Sequence, residues 1–228
     1  MPMASYFLTV LGALAIHLFI TILALLYLFT RFNPVMFMNK MRDAQAFAFS
    51  TASSSATIPV TLRAVTEKLG VNNSVASFTV PLGATINMDG TAIMQGVATV
   101  FIANVYGIEL GIAGYLTVIG MAVLASIGTA GVPGVGLIML AMVLNQVGLP
   151  LEGIGIILGV DRLLDMCRTA VNITGDAMVS TVVGKGENKI DMEVYNDPNA
   201  GAFDPDAELD FDDEDEKEFE EIMKNKLT

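Results

Sequence analysis

Five apolar segments, Ala4–Thr30, Ala44–Val65, Val75–Val105, Ile112–Val147 and Ile154–Val183, are each long enough to cross a bilayer, for which roughly 20 helical residues suffice. Several carry at their midpoints what a lipid-facing helix does not tolerate. The second holds "STASSSATIPVT", a Ser cluster with Pro59, and the fourth holds "SIGTAGVPGVG", four glycines around Pro133. Both are poor interiors for a continuous helix. The third, free of Lys and Arg, places Asn87, Asp89, Gly90 and Thr91 in "PLGATINMDGTAIMQG".

Basic residues decide which segments cross. Arg31, Lys40 and Arg42 follow the first segment, and Arg63 and Lys68 follow the second. Five crossings would put these two basic loops on opposite faces, against the preference of Lys and Arg for the cytoplasmic side. The conflict vanishes if the second segment enters and returns on one face. The loops around the fourth carry only Glu109 and Glu152, which places a second hairpin on the outer side, and Lys185 and Lys189 bring the chain back inside. The expected order is span 4–30, re-entrant hairpin about 35–68, span 75–106, re-entrant hairpin about 112–148 and span 153–184. Non-helical backbone at membrane depth is stable only where protein or a water-filled cavity surrounds it. Two oppositely oriented hairpins with broken helices are the pattern of a secondary transporter with its site at the midplane.

Charge divides the chain. Of a net −12, all lies in residues 187–228, which hold 16 acids and 4 bases. Residues 1–186 are a neutral apolar body, and 187–228 read as a disordered acidic cytoplasmic tail. One cysteine, Cys167, excludes a disulfide framework or a Cys-rich zinc site. The glycine-rich "GTAGVPGVG" lacks the Lys-Ser/Thr ending of a phosphate loop.

The last segment, "GVDRLLDMCRTAVNITGDAMV", carries the chemistry. At 100° per residue, Asp161, Asp165, Arg168, Asn172 and Asp176 share one narrow arc. Such a stripe facing lipid is costly, so it faces a cavity or partner. The guanidinium of Arg168 matches a carboxylate two bonds at a time, and Asp165 can accept from an ammonium. Together they suit a small ligand bearing both charges, although an intrahelical salt bridge is the plainer alternative. Asn87, Asp89 and Asp176 are oxygen donors with no cation at short spacing. They suit a hard ion such as Na⁺, with Gly90 letting the third segment unwind. His17, among Leu, Ile and Phe, reads as a hydrogen-bonded packing residue.

The stretches "SSSATIPVT", "LGATINMDGTA", "ASIGTAGVPGVG" and "DMCRTAVNITGD", in this order, resemble the dicarboxylate/amino acid:cation symporters, the glutamate transporter family. The resemblance covers about Ala4 to Gly186 and corresponds to the family's sixth helix, first hairpin, seventh helix, second hairpin and eighth helix. It implies an all-α multi-pass membrane protein of the plasma (inner) membrane: a transport domain over 1–186, lacking the N-terminal scaffold of five helices through which the family trimerises.

By this resemblance the hairpin tips, Ser53, Ser54 and Ser55 against Ala130, Gly131 and Val132, meet over the substrate. Ser54 and Asn172 take its α-carboxylate, Asp165 and Thr169 its amino group, and Arg168 and Thr91 its side-chain carboxylate. One sodium lies among Gly83, Asn87, Asn172 and Asp176. A second uses backbone oxygens of Thr85, Ser126, Ile127 and Thr129, and a third uses Asn87 and Asp89 with side chains from an upstream helix. The chain has Ala52 and Met166 where some members carry Arg, so potassium coupling is not implied; Arg162 is a candidate replacement.

The implied activity is sodium-coupled symport of aspartate or glutamate by an elevator-type movement, not enzymatic catalysis. Two alternatives stand beside it. One is a proton-coupled C4-dicarboxylate symporter, and the other is a truncated membrane remnant that does not transport.

Overall fold

The computed structural model describes residues 2–202, all-helical apart from one isolated bridge between Val71 and Ile190. Helix α1 joins Pro2–Ile16, a more loosely wound stretch at His17–Ile22, and Leu23–Thr30 end to end. Among the described residues it is the helix both long and apolar enough to cross a membrane. The others are α2 (Pro34–Thr51), α3 (Ser54–Arg63, continued by a wide turn Ala64–Lys68), α4 (Asn73–Ile86) and α5 (Asp89–Val105). They are followed by α6 (Gly111–Ser126), α7 (Val135–Gln146), α8 (Ile154–Gly186) and the short α9 (Met192–Asn196). The tail from residue 203 onward, expected to be disordered, lies outside the described residues.

Local chemistry sets the breaks. Asn33 caps α2, its Oδ1 accepting from the amides of Val35 at 2.9 Å and Met36 at 3.4 Å, with Pro34 at the first helical position. Ala52 ends α2 in the left-handed region (φ 52°), and Ser53 at once caps α3, accepting from the Ala56 amide at 3.1 Å. The first hairpin therefore turns on two residues at its serine run. Pro59, expected to help break the segment, lies inside α3 without ending it. The second hairpin turns through residues 127–134, where Gly134 (φ 82°) admits the left-handed exit into α7.

A correction concerns the third segment. The break was expected at Gly90; it occurs at Asn87–Met88, and Gly90 is buried in the first turn of α5. Its lack of a side chain serves close approach. A Cβ there would lie 3.0 Å from the Arg168 carbonyl oxygen and 3.0 Å from Asn172 Oδ1.

Helix α8 is the axis, 33 residues and about 50 Å long, with α1 through α5 and α7 all packed on it. The outer faces of α1 (Leu8, Ile16, Phe19, Ile20) and α6 (Ile112, Leu116) are exposed and apolar, a surface that calls for lipid or protein cover. At the base, residues 187–202 form a strap. Asp191 N donates to Gly70 O at 2.8 Å, and Asn72 N donates to Lys189 O at 2.9 Å. The buried ammonium of Lys40 donates to the carbonyls of Lys68, Val194 and Asp197 at 2.6, 2.8 and 2.8 Å.

Candidate functional site

The polar stripe of α8 points inward over its whole length. Asp161, Asp165, Arg168, Asn172 and Asp176 are all buried, Arg168 only 1% exposed. Arg168 Nη1 donates to Asp161 Oδ1 and Nη2 to Asp165 Oδ1, each at 2.8 Å. The fork thus spans two turns of its own helix and neutralises both acids in part, the arrangement a buried guanidinium requires. Its Nε, also buried, has no hydrogen-bond partner among the described residues.

The two hairpin tips close over this cluster. The Gly131 carbonyl accepts from the Ser55 amide at 3.0 Å and from Ser53 Oγ at 2.7 Å. The second tip also reaches α8, the Gly134 amide donating to Asp165 Oδ2 at 2.9 Å. Beneath the tips is a cavity of about 10 Å³ lined by Ser54, Thr91, Thr129, Ala130, Gly131, Val132, Asp165, Thr169 and Asn172, with Ala52, Met88 and Gly136. That volume is of the order of one water, so a ligand of several heavy atoms enters only if a tip moves.

A second polar group gathers at the helix break. Asn87 Nδ2 donates to Asp176 Oδ1 at 2.8 Å and, at 3.4 Å, to the Asn172 carbonyl. Asn172 Oδ1 accepts from the Gly90 amide at 2.7 Å, so one side chain ties the break to α8. Gly83 packs so closely that a Cβ would fall 2.4 Å from Asp176 Oδ1. Asp176 is 2% exposed with no cationic partner among the described residues. A buried carboxylate in that position needs a proton or a cation. The oxygen-rich set Gly83, Asn87, Asn172 and Asp176 suits a hard ion such as sodium.

The remaining expected residues have partners of their own. Asp89 Oδ2 lies 3.0 Å from His17 Nε2, on the loosely wound stretch of α1; no spacing within the sequence announces a contact across 72 positions. Ser126 and Thr129 are buried at the end of α6, but their hydroxyls return to Val123 O and Ala125 O. Thr85 is exposed with its hydroxyl on Leu82 O, and Ile127 is half exposed. Arg162 is exposed and does not fill the place of a tip guanidinium. Met88 was missed: it lines the cavity, and its Sδ accepts from Asn172 Nδ2 at 3.2 Å. Its place inside the break was the available signal.

Comparison with known proteins agrees with this architecture. The profile of the sodium:dicarboxylate symporter family matches residues 1–186. The chain is 46% identical over 194 residues to an excitatory amino acid transporter of Caenorhabditis elegans, covering 85% of this chain and 38% of that protein. It is 46% identical over 184 residues to the mouse excitatory amino acid transporter 3, covering 81% and 35%. It is 42% identical over 181 residues to the human excitatory amino acid transporter 1, covering 79% and 33%. The chain thus spans between a third and two-fifths of the length of these relatives, all of which are transporters and not enzymes. With its four motifs in order and a profile match across its whole apolar body, the chain belongs to the sodium:dicarboxylate symporter family.

Proposed function

We propose that residues 1–186 are the transport domain of a symporter that carries an acidic amino acid, aspartate or glutamate, with sodium. The observation that carries the reading is the buried Asp161–Arg168–Asp165 cluster beneath two abutting hairpin tips. A ligand carboxylate that takes the fork of Arg168 replaces Asp165 as its partner and can also use the unpartnered Nε. Asp165 is thereby released to accept from the ligand's ammonium. Each half of a zwitterionic ligand drives the exchange that exposes the other half's partner. Ser54, Thr91, Thr169 and Asn172, already lining the cavity, complete the contacts, with tip residues Ser53, Ser55, Ala130, Gly131 and Val132 closing above.

Sodium would be held by Gly83, Asn87, Asn172 and Asp176, where it supplies the charge that the buried carboxylate lacks. Further sites would use backbone oxygens of Thr85, Ser126, Ile127 and Thr129, and Asn87 with Asp89, the last of which has to turn from His17. In the full assembly this domain crosses a plasma (inner) membrane with both hairpins re-entrant and the tail inside. There it slides past a scaffold contributed by the remaining length of a trimeric protein. The excitatory amino acid transporters among its relatives support the substrate class.

A proton-coupled C4-dicarboxylate symporter is the second reading, favoured by one observation: each oxygen of Asp165 already accepts a bond, from the Gly134 amide and from Arg168, with which an incoming amine has to compete. Calorimetric titration of the detergent-solubilised protein with L-aspartate, L-glutamate and succinate, each in sodium and in choline, separates the two. Amino-acid binding in sodium alone is the expected result. Succinate binding without amino-acid binding replaces this reading with the second.

A further inference from the structure

We propose that the acidic segment after Ala202 folds back as an intrachain ligand into a basic cleft at the base of the fold. The cleft, about 550 Å³, lies between the start of α2 (Val35, Met36, Lys40, Arg42), Lys68 and the end of the strap at Pro198–Ala202. Its charges are unequally occupied. Lys40 is committed to three carbonyls, and Lys68 Nζ is paired with Asp43. Asp197 turns its Oδ1 to the Asn199 amide. Arg42 is exposed and has no ion-pair partner among the described residues. Beside it Val35 presents 66% of its surface, so the cleft pairs one uncommitted guanidinium with an apolar ledge.

The occupant follows from continuity and charge. The cleft is lined by Ala202, and the chain continues from there as "FDPDAELDFDDEDE" within a segment of 12 acids and three lysines. Phe203 and Phe211 stand among carboxylates, the complement of a guanidinium beside an apolar ledge. Nine residues separate Ala202 from Phe211, a reach of at most about 30 Å that allows return to the cleft. A tether this short holds the segment at an effective concentration of the order of millimolar, against which weak contacts are sufficient. The strap already binds residues 187–202 to the bases of α2 and α3, so docking extends an existing contact. This inference stands apart from the transport reading and uses none of its residues.

The test places p-benzoylphenylalanine at Val35 of the full chain, in detergent and in nanodiscs containing phosphatidylserine, and maps photo-cross-links by mass spectrometry. The expected product joins position 35 to a peptide within 203–216 in both settings. Its yield falls about five-fold with Arg42→Glu, and similarly in about 0.5 M NaCl, where the screening length shrinks to about 4 Å. Arg42→Gln gives a smaller loss. Cross-links confined to lipid in the nanodiscs overturn the proposal in favour of an anionic headgroup. Tail cross-links indifferent to salt and to Arg42→Glu, or absent in detergent, overturn it outright.

Discussion

The contact between the hairpin tips rests on one carbonyl, that of Gly131, and on the absence of a side chain beside it. A Cβ at this position would lie 2.7 Å from Ser55 Oγ, 2.9 Å from the Ser55 amide nitrogen and 3.0 Å from the Ala84 carbonyl. The hydroxyl can rotate aside, but the two backbone atoms cannot, so Gly131→Ala separates the tips. Separation costs the bonds from Ser55 N and Ser53 Oγ. At about 1 kcal/mol each, this shifts the closed-to-open ratio by about 2 kcal/mol, or roughly 30-fold. Hydrogen–deuterium exchange of the detergent-solubilised protein reads this directly, because the Ser55 amide exchanges from the open state. Peptides covering residues 52–58 should exchange roughly 30 times faster in the variant, with α8 peptides unchanged. An unchanged rate at Ser55 would refute the closure geometry, whatever the fate of ligand binding.

Four further outcomes follow from the same contacts. Arg168→Ala leaves Asp161 buried without a partner and Asp165 with only the Gly134 amide, a loss of about 3–5 kcal/mol. It should abolish acidic-ligand binding in calorimetry, and retained aspartate affinity would remove Arg168 from the site. Asp176→Asn should flatten the sodium dependence of ligand binding; an unaltered sodium titration would remove Asp176 from the ion site. Lys40→Met should free the strap, raising amide exchange across residues 189–197 at least about ten-fold, since three carbonyls lose a charged donor; protection equal to the parent would show that the other strap bonds suffice. Burial of Tyr195 beneath the strap pushes its phenol up to about 12. The neutral form is favoured in the fold, so this contribution is complete below the ordinary tyrosine range near 10 and is lost as pH rises toward 12. Strap exchange should therefore accelerate between pH 10 and 12 beyond its intrinsic base dependence, and Tyr195→Phe should remove that excess.

What could be read from the chain alone was whatever recurs at short range. The 100° spacing of Asp161, Asp165, Arg168, Asn172 and Asp176 predicts a buried face, and all five are buried. The serine run and the glycine–proline stretch mark two turns because caps and left-handed residues act within a few positions. The failures are of another kind. Proline and glycine suggested breaks at Pro59 and Gly90, but both lie within helices, and the chain breaks instead at Ala52–Ser53 and Asn87–Met88, where Ser53 and Asn87 find partners. His17 against Asp89, and Lys40 against Val194 and Asp197, join positions 72 to 157 residues apart. Only packing selects such pairs.

The three carbonyls around Lys40 make the cage that a monovalent ion would occupy, with an ammonium fixed at its centre by a covalent stem. The base of the domain therefore carries its own cation. Asp176, in the half of α8 that leads into the strap, has no tethered charge among the described residues and needs a proton or a cation. The two buried polar groups are therefore balanced differently: among the described residues, one cluster holds a cation on a covalent stem, and the other holds a carboxylate that the chain leaves to be matched by a proton or a cation from outside.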